Sequence, residues 1–293
     1  MLLPAAKKQI ADLKAQYDQL KKGKEALLRM IDDAEIPEGV YNSNAIENST
    51  LSLQETEQIL LEMEVSRKVS LREVFEAKNL ARVTDYIRQK KGQLHFSLDF
   101  ILFLHHMLIS GISDEIAGRF RQENEYVKVG NHIAPAPEHV DHLLEENIKK
   151  YEEDFDTYFL EKIARFHLQF EHIHPFNDGN GRIGRILTNI QLIELGLPPI
   201  IFRDKEKKEY YQALKEYDQN RKTKRMEDLL WLLLMESLHK RLAYLKALNI
   251  IPLTQLAETI GKSKQTLLNA AKRQSIEAFR EKGMWKIGVS MKK

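Results

Sequence analysis

Most of the chain places apolar residues three or four positions apart, which is the spacing of one face of an α-helix. The first such segment, residues 5–30, carries its apolar positions among many charged residues: Ile10, Leu13, Tyr17 and Leu20. Pro37 and Gly39 are expected to break the pattern, because proline removes a helical hydrogen bond and glycine disfavours the helix interior. The pattern therefore predicts an N-terminal amphipathic helix that ends before residue 37.

Two later segments have the sequence of a helix start. In each, a serine is followed three residues later by a glutamate: Ser52 with Glu55, and Ser70 with Glu73. In such a capping box the hydroxyl and the carboxylate satisfy opposing backbone N–H groups. We therefore expect helices to begin at the residues that follow the two serines. Apolar spacing predicts further helices at residues 98–110, from about 138, from about 161, after 180, at 206–219 and at 225–247.

Residues 125–134 depart from the helical pattern. Tyr126, Val127 and Val129 alternate with charged residues, and Gly130-Asn131 is a turn pair. Alternation with a period of two, followed by a turn, is typical of a β-hairpin. The sequence therefore predicts one short hairpin in a mainly helical chain.

Composition narrows the class of protein. The chain has 293 residues, of which 43% are hydrophobic and 30% are charged, values typical of a globular protein with a sizeable core. It has no cysteine, which excludes disulfides, thiolate zinc sites and cysteine nucleophiles. The net charge of +2 argues against a protein whose whole surface binds nucleic acid.

No segment resembles a signal peptide or a membrane span. The N-terminus becomes charged within a few residues, and the most apolar run, Leu229 to Met235, is far shorter than the roughly 20 residues that cross a bilayer. We therefore expect a cytoplasmic protein that does not interact with membranes.

The last 42 residues carry nine lysines and arginines against three glutamates, an excess of six positive charges. Ala257, Gly261 and Leu267 have the spacing of a helix-turn-helix, and Ser263 is placed to cap its second helix. Residues 279–287 have the pattern of a small hairpin, a wing. The segment resembles small winged helix-turn-helix domains, and residues 253–293 could bind DNA through their basic side chains. A packing or dimerisation module that binds no DNA is an equal alternative.

The stretch from His174 to Arg185 concentrates the chemistry. Gly179 and Gly181 let the backbone approach a ligand closely, and a helix that begins beside them directs free N–H groups at an anion. Arg182 and Arg185 lie three apart, so both project from one side of the first helical turn. The pattern favours a phosphate-binding cradle.

Two side chains of this stretch supply acid-base and metal chemistry. Asp178 is a hard oxygen ligand, and one carboxylate together with substrate phosphates is a common way to hold Mg2+. His174 can accept a proton near neutral pH. A base, a metal and fixed positive charge indicate phosphoryl-type transfer, although spacing alone does not say which phosphate is attacked. Phe176 is expected to be a core anchor.

This stretch resembles the Fic motif, His-x-Phe-x-Asp/Glu-Gly-Asn-Gly-Arg-x-x-Arg, and every fixed position is present. The resemblance covers about residues 40–220. In that family the histidine deprotonates a Ser, Thr or Tyr hydroxyl of a target protein, which attacks the α-phosphate of ATP. The resemblance implies His174 as the base, Asp178 as the Mg2+ ligand, Asn180, Gly181 and Arg182 at the α- and β-phosphates, and Arg185 at the γ-phosphate.

A second motif lies upstream. The stretch from Ser43 to Asn48 resembles the family's inhibitory motif, Ser/Thr-x-x-x-Glu-Gly/Asn. The resemblance implies that Glu47 pairs with Arg185 and thereby occupies the arginine meant for the γ-phosphate. In some relatives the same glutamate positions a water that removes AMP from the target, so transfer, removal or both stay open.

Other candidates are weaker. The 125–134 hairpin matches the family's flap, along which a target protein's backbone pairs like an added strand. Tyr210 and Tyr211 could stack on adenine, and core packing is an equal alternative. We expect three histidines in apolar helical segments to be buried structural residues: His105, His106 and His167. No pair of histidines has the spacing of a metal site with a third ligand.

The expected fold is mainly α, in three parts. Residues 1–90 form a helical segment with the inhibitory motif, residues 91–247 a Fic-type helical core with a β-hairpin flap, and residues 248–293 a winged-helix-like module. The expected function is a protein adenylyltransferase that uses ATP and Mg2+. Two alternatives stay open: transfer of another phosphate-linked group, such as phosphate or UMP, and a DNA-binding regulator whose core senses a nucleotide. A homo-oligomer is also open.

Overall fold

The computed structural model describes residues 2–65, 68–94, 96–130 and 132–290. The helices are α1 (Pro4–Leu20), α2 (Glu25–Ile46), α3 (Leu53–Glu57), α4 (Leu71–Gln89), α5 (Leu98–Ile109), α6 (Val140–Glu153), α7 (Phe159–Ile173), α8 (Asn180–Glu194), α9 (Lys207–Asn220), α10 (Lys224–Leu245), α11 (Leu253–Ile260) and α12 (Lys264–Lys272). The strands are β1 (Lys128–Val129), β2 (His132–Ile133), β3 (Asn249–Pro252), β4 (Ala278–Glu281) and β5 (Met284–Val289). The chain is therefore mainly helical, as predicted.

The chain divides into two compact units. The first comprises Ile36–Gly196 and Phe202–Glu227. The second comprises Leu2–Glu35, Leu197–Ile201 and the residues from Asp228 onward. The predicted division into three parts by role stays a prediction.

The N-terminal helix prediction was wrong in two respects. The segment 5–30 is two helices, α1 and α2, and the break lies at Gly23, which has a φ of +73°. Pro37 and Gly39 lie inside α2 and do not end it. An interior proline costs a helix about 3 kcal/mol, so contacts outside the helix must offset that cost. The buried ion pair between Glu38 and Arg203 is one of them.

Both predicted helix starts are confirmed. Ser52 caps α3 with a complete capping box, in which Glu55 N donates to Ser52 Oγ at 3.2 Å and Ser52 N donates to Glu55 Oε2 at 2.8 Å. Ser70 caps α4 through the N–H of Glu73 at 3.2 Å. The carboxylate of Glu73 accepts the N–H of Thr50 at 2.6 Å, so it also holds the loop that connects α2 to α3.

The first unit has a large apolar core that positions the helices α7 and α8. Its fully buried members come mainly from α4, α5, α7 and α8 and include Val83, Leu104, Leu108, Phe170, Phe176, Ile183 and Leu187. The loop between α7 and α8 contains residues 174–179, so the core holds both flanks of the predicted chemical centre. The pairing of β1 with β2 is antiparallel, with Lys128 opposite Ile133 and Val129 opposite His132. Asn131, of the predicted turn pair, lies outside the described residues.

The second unit contains a small sheet and two short helices near the C-terminus. The strand order is β3-β5-β4, and both pairings are antiparallel. Between β3 and β4 the chain forms α11, a turn at Gly261, and α12, which Ser263 caps through the N–H of Thr266 at 3.1 Å. The winged-helix interpretation of this segment stays a prediction, and Lys292 and Lys293 of its basic excess lie outside the described residues.

Within the described residues, no helix is both long enough and apolar enough to traverse a lipid bilayer.

Candidate active site

The loop that joins α7 to α8 is held in one shape by its own residues. His174 follows α7 with a φ of +50°, and Gly179 precedes α8 with a φ of +83°. The left-handed conformation at Gly179 favours glycine, and a Cβ there would lie 3.2 Å from two side chains of α5. The Asn180 side chain accepts the N–H of Phe176 at 2.9 Å and donates to its carbonyl at 2.8 Å. That side chain is therefore engaged within the loop, and Asn180 offers an anion its backbone N–H.

Phe176 anchors the loop in the core, as predicted. It is fully buried and stacks on His105 with 3.7 Å between the ring centroids. His105 Nδ1 accepts the N–H of Gly118 at 3.1 Å, and its Nε2 lies 3.0 Å from the carbonyl oxygen of Asp178. Since Nδ1 is an acceptor, Nε2 carries the ring proton and donates it to the Asp178 carbonyl. Helix α5, which carries His105, thereby holds the loop against the core.

His174 has a neutral ring in which one nitrogen can accept a proton. Its backbone N–H donates to the Phe170 carbonyl at 2.9 Å, and its Nδ1 lies 3.3 Å from the Glu171 carbonyl. Burial lowers the pKa of His174 to about 4, so the ring is neutral at neutral pH. A neutral ring whose Nδ1 faces a carbonyl carries its proton there, which leaves Nε2 free to accept one.

Arg121 ties the loop to the hairpin segment. Its side chain is buried, and its Nε donates to the carbonyl of His174 at 2.8 Å. Its Nη1 donates to the carbonyl of Glu125 at 2.9 Å, and its Nη2 donates to that of Pro135 at 2.8 Å. One guanidinium therefore holds His174 against both ends of the 125–134 segment.

The carboxylate of Asp178 is bound by two arginines. Its Oδ1 accepts the N–H of Gly179 at 2.6 Å and Arg182 Nη2 at 2.9 Å, and its Oδ2 is paired with Arg72. Burial alone would raise the pKa of Asp178, but the charges of Arg182 and Arg72 outweigh burial and hold it below its usual value. Glu76 also pairs with both arginines, at 3.1 Å from Arg72 and 3.3 Å from Arg182. The carboxyl group is therefore ionised.

Arg185 is buried and pairs with the upstream motif. Its Nε donates to Ser43 Oγ at 2.9 Å, and its Nη2 donates to the Ser43 carbonyl and to Glu47 Oε1, each at 2.9 Å. Burial alone would lower the pKa of Arg185, but the charge of Glu47 outweighs it and the net pKa is raised. The ion pair expected between Glu47 and Arg185 is present.

The Glu47 carboxylate lies directly against the first turn of α8. A Cβ on Gly181 would lie 2.3 Å from Glu47 Oε1 and 3.0 Å from Arg185 Nη1, so only glycine leaves room for this contact. The start of a helix stabilises negative charge, because its first N–H groups are free and its dipole is positive there. Glu47 thus occupies the position where the sequence predicts a bound anion.

Two guanidinium nitrogens in the site lack hydrogen-bond acceptors among the described residues. Arg182 Nε and Arg185 Nη1 are buried and have no hydrogen-bond partner among the described residues. A buried donor without a partner costs free energy, so such atoms mark a place where a ligand with several acceptor oxygens would be stabilised. A triphosphate has that chemistry.

Residues 95–192 match the family model described as Fic/DOC. Two curated relatives are both named "Protein adenylyltransferase Fic". The one from Drosophila mojavensis is 33% identical over 180 residues, which are 60% of this chain and 35% of the relative. The one from Nematostella vectensis is 32% identical over 188 residues, covering 60% of this chain and 42% of the relative. The chain therefore spans less than half the length of these relatives.

Two solved structures share the fold. A Fic domain-containing signalling protein from Bacteroides thetaiotaomicron superposes with a TM-score of 0.73 at 24% identity, covering 81% of this chain and 97% of that protein. A Fic family protein from Desulfovibrio desulfuricans superposes with a TM-score of 0.63 at 18% identity, covering 100% of this chain and 98% of that protein. The Fic/DOC match therefore includes the fold as well as the motif.

Asp178, the predicted Mg2+ ligand of the Fic/DOC motif, fits that metal in its chemistry. It is an ionised carboxylate, and Mg2+ is usually held by one or two carboxylates together with substrate phosphates. Its Oδ2 is paired with Arg72, whose side chain is 55% exposed, whereas Arg182 is only 3% exposed. Metal binding at Oδ2 would therefore have to displace an exposed arginine and could leave Arg182 in place.

The two tyrosines that follow α8 are placed differently. Tyr210 is 2% exposed, and its hydroxyl lies 2.9 Å from Nε2 of the buried His167. Tyr211 is 39% exposed, and its hydroxyl donates to the Ile46 carbonyl at 3.3 Å, next to Glu47 in the chain. Tyr210 is therefore a core residue, and Tyr211 is the one that stays a candidate for stacking.

The predicted structural histidines are confirmed at His105 and His167, which are fully buried and hydrogen-bonded. The prediction for His106 was wrong. Its side chain is exposed, because it lies one residue beyond His105 and so on the outer face of α5.

Sequence reasoning missed three residues of the candidate site. Arg72 and Arg121 lie more than 50 residues upstream of His174, and nothing in the sequence separates them from the chain's other basic residues. Glu171 is buried beside Gly184, whose Cβ would lie 2.5 Å from Glu171 Oε1. Burial raises the pKa of Glu171 to about 8, so it is neutral at pH 7 and does not compete with Glu47 for Arg185. Its position on the apolar face of an amphipathic helix is the one signal that sequence offers.

Proposed function

We propose that this protein transfers AMP from ATP to a hydroxyl side chain of a target protein, and that Glu47 holds it in an inhibited form. The observation that carries the proposal is the Glu47 carboxylate against Gly181 and Arg185, in a cradle built for an anion. The curated relatives named as protein adenylyltransferases support AMP as the transferred group.

In the proposed reaction, His174 Nε2 accepts the proton of the target hydroxyl as the hydroxyl oxygen attacks the α-phosphorus. The bond from the α-phosphorus to the oxygen that bridges to the β-phosphate breaks, and the negative charge leaves with pyrophosphate. Arg182 and the N–H groups at the start of α8 face the charge that develops. Asp178 would hold Mg2+, which when bound offsets charge on the phosphates.

Glu47 would inhibit by two effects that act together. It occupies Nη2 of Arg185, the group proposed to hold the γ-phosphate, at 2.9 Å. It also places a negative charge at the helix start that a triphosphate needs. ATP could bind only in a pose that avoids Glu47, and such a pose is not aligned for attack.

The target protein is proposed to dock along the 125–134 segment. The side chains of Tyr126 and Ile133 are 63% and 67% exposed, so both are accessible to a partner. A strand that is added to a hairpin is bound mainly through main-chain hydrogen bonds. This surface would therefore select an extended segment and not a particular sequence.

The test uses ATP labelled at the α-phosphate and, in parallel, at the γ-phosphate, with Mg2+ and the purified protein. Wild type, Glu47→Gly and His174→Ala are compared, with Glu64→Gly as a control because Glu64 is exposed and outside the site. We expect α-label on protein, stronger in Glu47→Gly, absent in His174→Ala and unchanged in Glu64→Gly.

Each other outcome has a definite meaning. Label from the γ-position alone would replace AMP transfer by phosphate transfer. Equal labelling by wild type and Glu47→Gly would remove the inhibitory role of Glu47 and leave the transfer standing. Undiminished labelling by His174→Ala would overturn the assignment of the base.

A further inference from the structure

Three potential metal ligands converge beside the hairpin. His132 lies in β2, His172 lies in the last turn of α7, and Asp218 lies in the last turn of α9. One ligand atom from each lies within 4.8 Å of the other two. We propose that these side chains form a second metal site, separate from Asp178, for a divalent transition-metal ion such as Zn2+.

The donor atoms are nearly at the separations that such an ion requires. His172 Nδ1 lies 2.7 Å from Asp218 Oδ1, and His132 Nδ1 lies 3.9 Å from the same oxygen. Two ligands on a tetrahedral Zn2+ lie roughly 3.3–3.5 Å apart, given the usual metal-ligand distances of about 2.0–2.1 Å. Small rotations of the side chains would therefore place all three around one ion.

His132 has the supporting contact that a metal-binding histidine usually has. Its Nε2 lies 2.8 Å from the backbone carbonyl of His172, so Nε2 carries the ring proton and donates it. Nδ1 is then left with a lone pair that faces Asp218. A histidine ligand almost always donates its second nitrogen to a carbonyl or carboxylate, which fixes the ring.

The chemistry of the three ligands indicates which class of ion the site would bind. Two imidazoles and one carboxylate suit zinc and its first-row neighbours, whereas Mg2+ prefers oxygen ligands. The three side chains are 13%, 14% and 26% exposed, which leaves room for water at an open coordination position. Two neutral imidazoles and one carboxylate give a set with a single negative charge, suited to a divalent cation.

One contact must change for the ion to bind. Arg221 Nη2 lies 3.0 Å from His172 Nε2. Because a guanidinium only donates, His172 accepts at Nε2 and carries its proton on Nδ1. A metal on Nδ1 moves that proton to Nε2, so Arg221 must turn away, which its exposed position permits. Arg221 is thus a competitor of the metal.

The site would connect the hairpin to the proposed catalytic helix. His132 belongs to the hairpin, and His172 lies two residues before His174. Binding of one ion would fix the edge on which the target is proposed to dock. This consequence rests on the proposed function, but the metal site itself does not.

The test is titration of the full chain, without an affinity tag, with Zn2+ by calorimetry and with Co2+ by visible absorption. Mg2+ is kept in large excess throughout, so that it competes for the carboxylate of Asp178. Wild type, His132→Ala, Arg221→Ala and the control His139→Ala are compared, since His139 is an exposed histidine outside the cluster. Thermal unfolding without metal checks that each variant is folded.

We expect one ion per chain in wild type and in His139→Ala, with a Co2+ spectrum of nitrogen and oxygen coordination. His132→Ala should bind more weakly by at least the 10- to 100-fold that loss of a supporting partner costs. Arg221→Ala should bind as tightly or more tightly. The proposal is overturned if wild type takes up no Zn2+, if His132→Ala binds as wild type does, or if Arg221→Ala loses binding.

Discussion

Helix α2 and the residue that follows it supply hydrogen-bond partners to two buried arginines with very different surroundings. Arg241, in α10, is 1% exposed, and its Nη2 donates to Asp32 and Glu35, each at 2.6 Å. Its Nη1 donates to Ser237 Oγ at 2.8 Å. Arg185 is 3% exposed, pairs with one carboxylate, Glu47, and keeps a buried nitrogen without a partner among the described residues.

The difference separates an arginine saturated by the fold from one that is proposed to bind a ligand. In both cases burial alone would lower the pKa, and acidic neighbours outweigh it and raise the pKa. Arg241 has two carboxylates, so its charge is fully compensated by the fold. Arg185 has one that is 36% exposed and sits on a chain segment just after α2. A buried charge with a replaceable partner can exchange that partner for a ligand, whereas a saturated one cannot.

The largest effect is expected from Arg241→Ala. Removal of one partner of a buried ion pair leaves uncompensated charge, so the free energy of unfolding should fall by about 3–5 kcal/mol. Urea denaturation measures it, and saturating ATP should not restore the loss. Arg225→Ala is the control, because Arg225 is 39% exposed and solvent screens its pairs with Glu209 and Glu216, so its removal should change stability little. A loss under 1 kcal/mol in Arg241→Ala would remove the distinction between the two arginines.

The second-largest effect is expected on the free energy of unfolding of Glu47→Gly. Without its carboxylate partner, Arg185 keeps only its bonds to Ser43, so the free energy of unfolding should fall by about 1–3 kcal/mol. ATP with Mg2+ should recover that loss, because phosphate oxygens replace Glu47. Urea denaturation with and without ATP measures both quantities, with Glu64→Gly as the control. If ATP stabilises wild type and Glu47→Gly equally, Arg185 does not exchange its partner.

How much of this the sequence predicts depends on how local each feature is. The loop from His174 to Arg185 and the caps at Ser52 and Ser70 are contiguous, so spacing and turn chemistry were enough to locate them. The pairing of Glu47 with Arg185 spans 138 residues and was predicted only through the resemblance to the Fic motif. Residue roles in ATP binding stay predictions.

What the sequence could not predict arises from tertiary contacts. Pro37 lies inside α2, where neighbouring residues form bonds outside the helix, as when Asn42 accepts the N–H of Asp204 at 3.1 Å. His132 and His172 lie 40 residues apart and meet only because the hairpin folds onto α7. An arginine such as Arg121 looks the same in sequence whether it lies on the surface or in the core. These features follow from packing, which a linear pattern does not contain.

A smaller effect is expected from Arg72→Ala. Arg72 is the exposed partner of Asp178, so its removal should free Oδ2 for a metal. An exposed ion pair contributes up to about 1 kcal/mol, so the Mg2+ concentration for half-maximal AMP transfer should fall by roughly fivefold. The measurement is a Mg2+ titration in the Glu47→Gly background. Arg82→Ala is the control, because Arg82 lies on the same helix and bonds the Met107 carbonyl instead. An unchanged or higher Mg2+ requirement would contradict the competition.

The smallest effect is expected from a change of pH, because His174 should stay neutral over the range that is tested. Burial lowers the pKa of His174 to about 4, so the neutral, proton-accepting form dominates above about pH 5. A histidine with the ordinary pKa of about 6.5 would lose roughly tenfold in its neutral fraction between pH 7.5 and 5.5. We therefore expect kcat/KM of Glu47→Gly at low ATP to change by less than about twofold over that range, since this parameter reports the free enzyme. A tenfold fall in kcat/KM would mean that His174 is better solvated than its buried position implies. The site would then open to water before ATP binds, unlike the surroundings of Arg241.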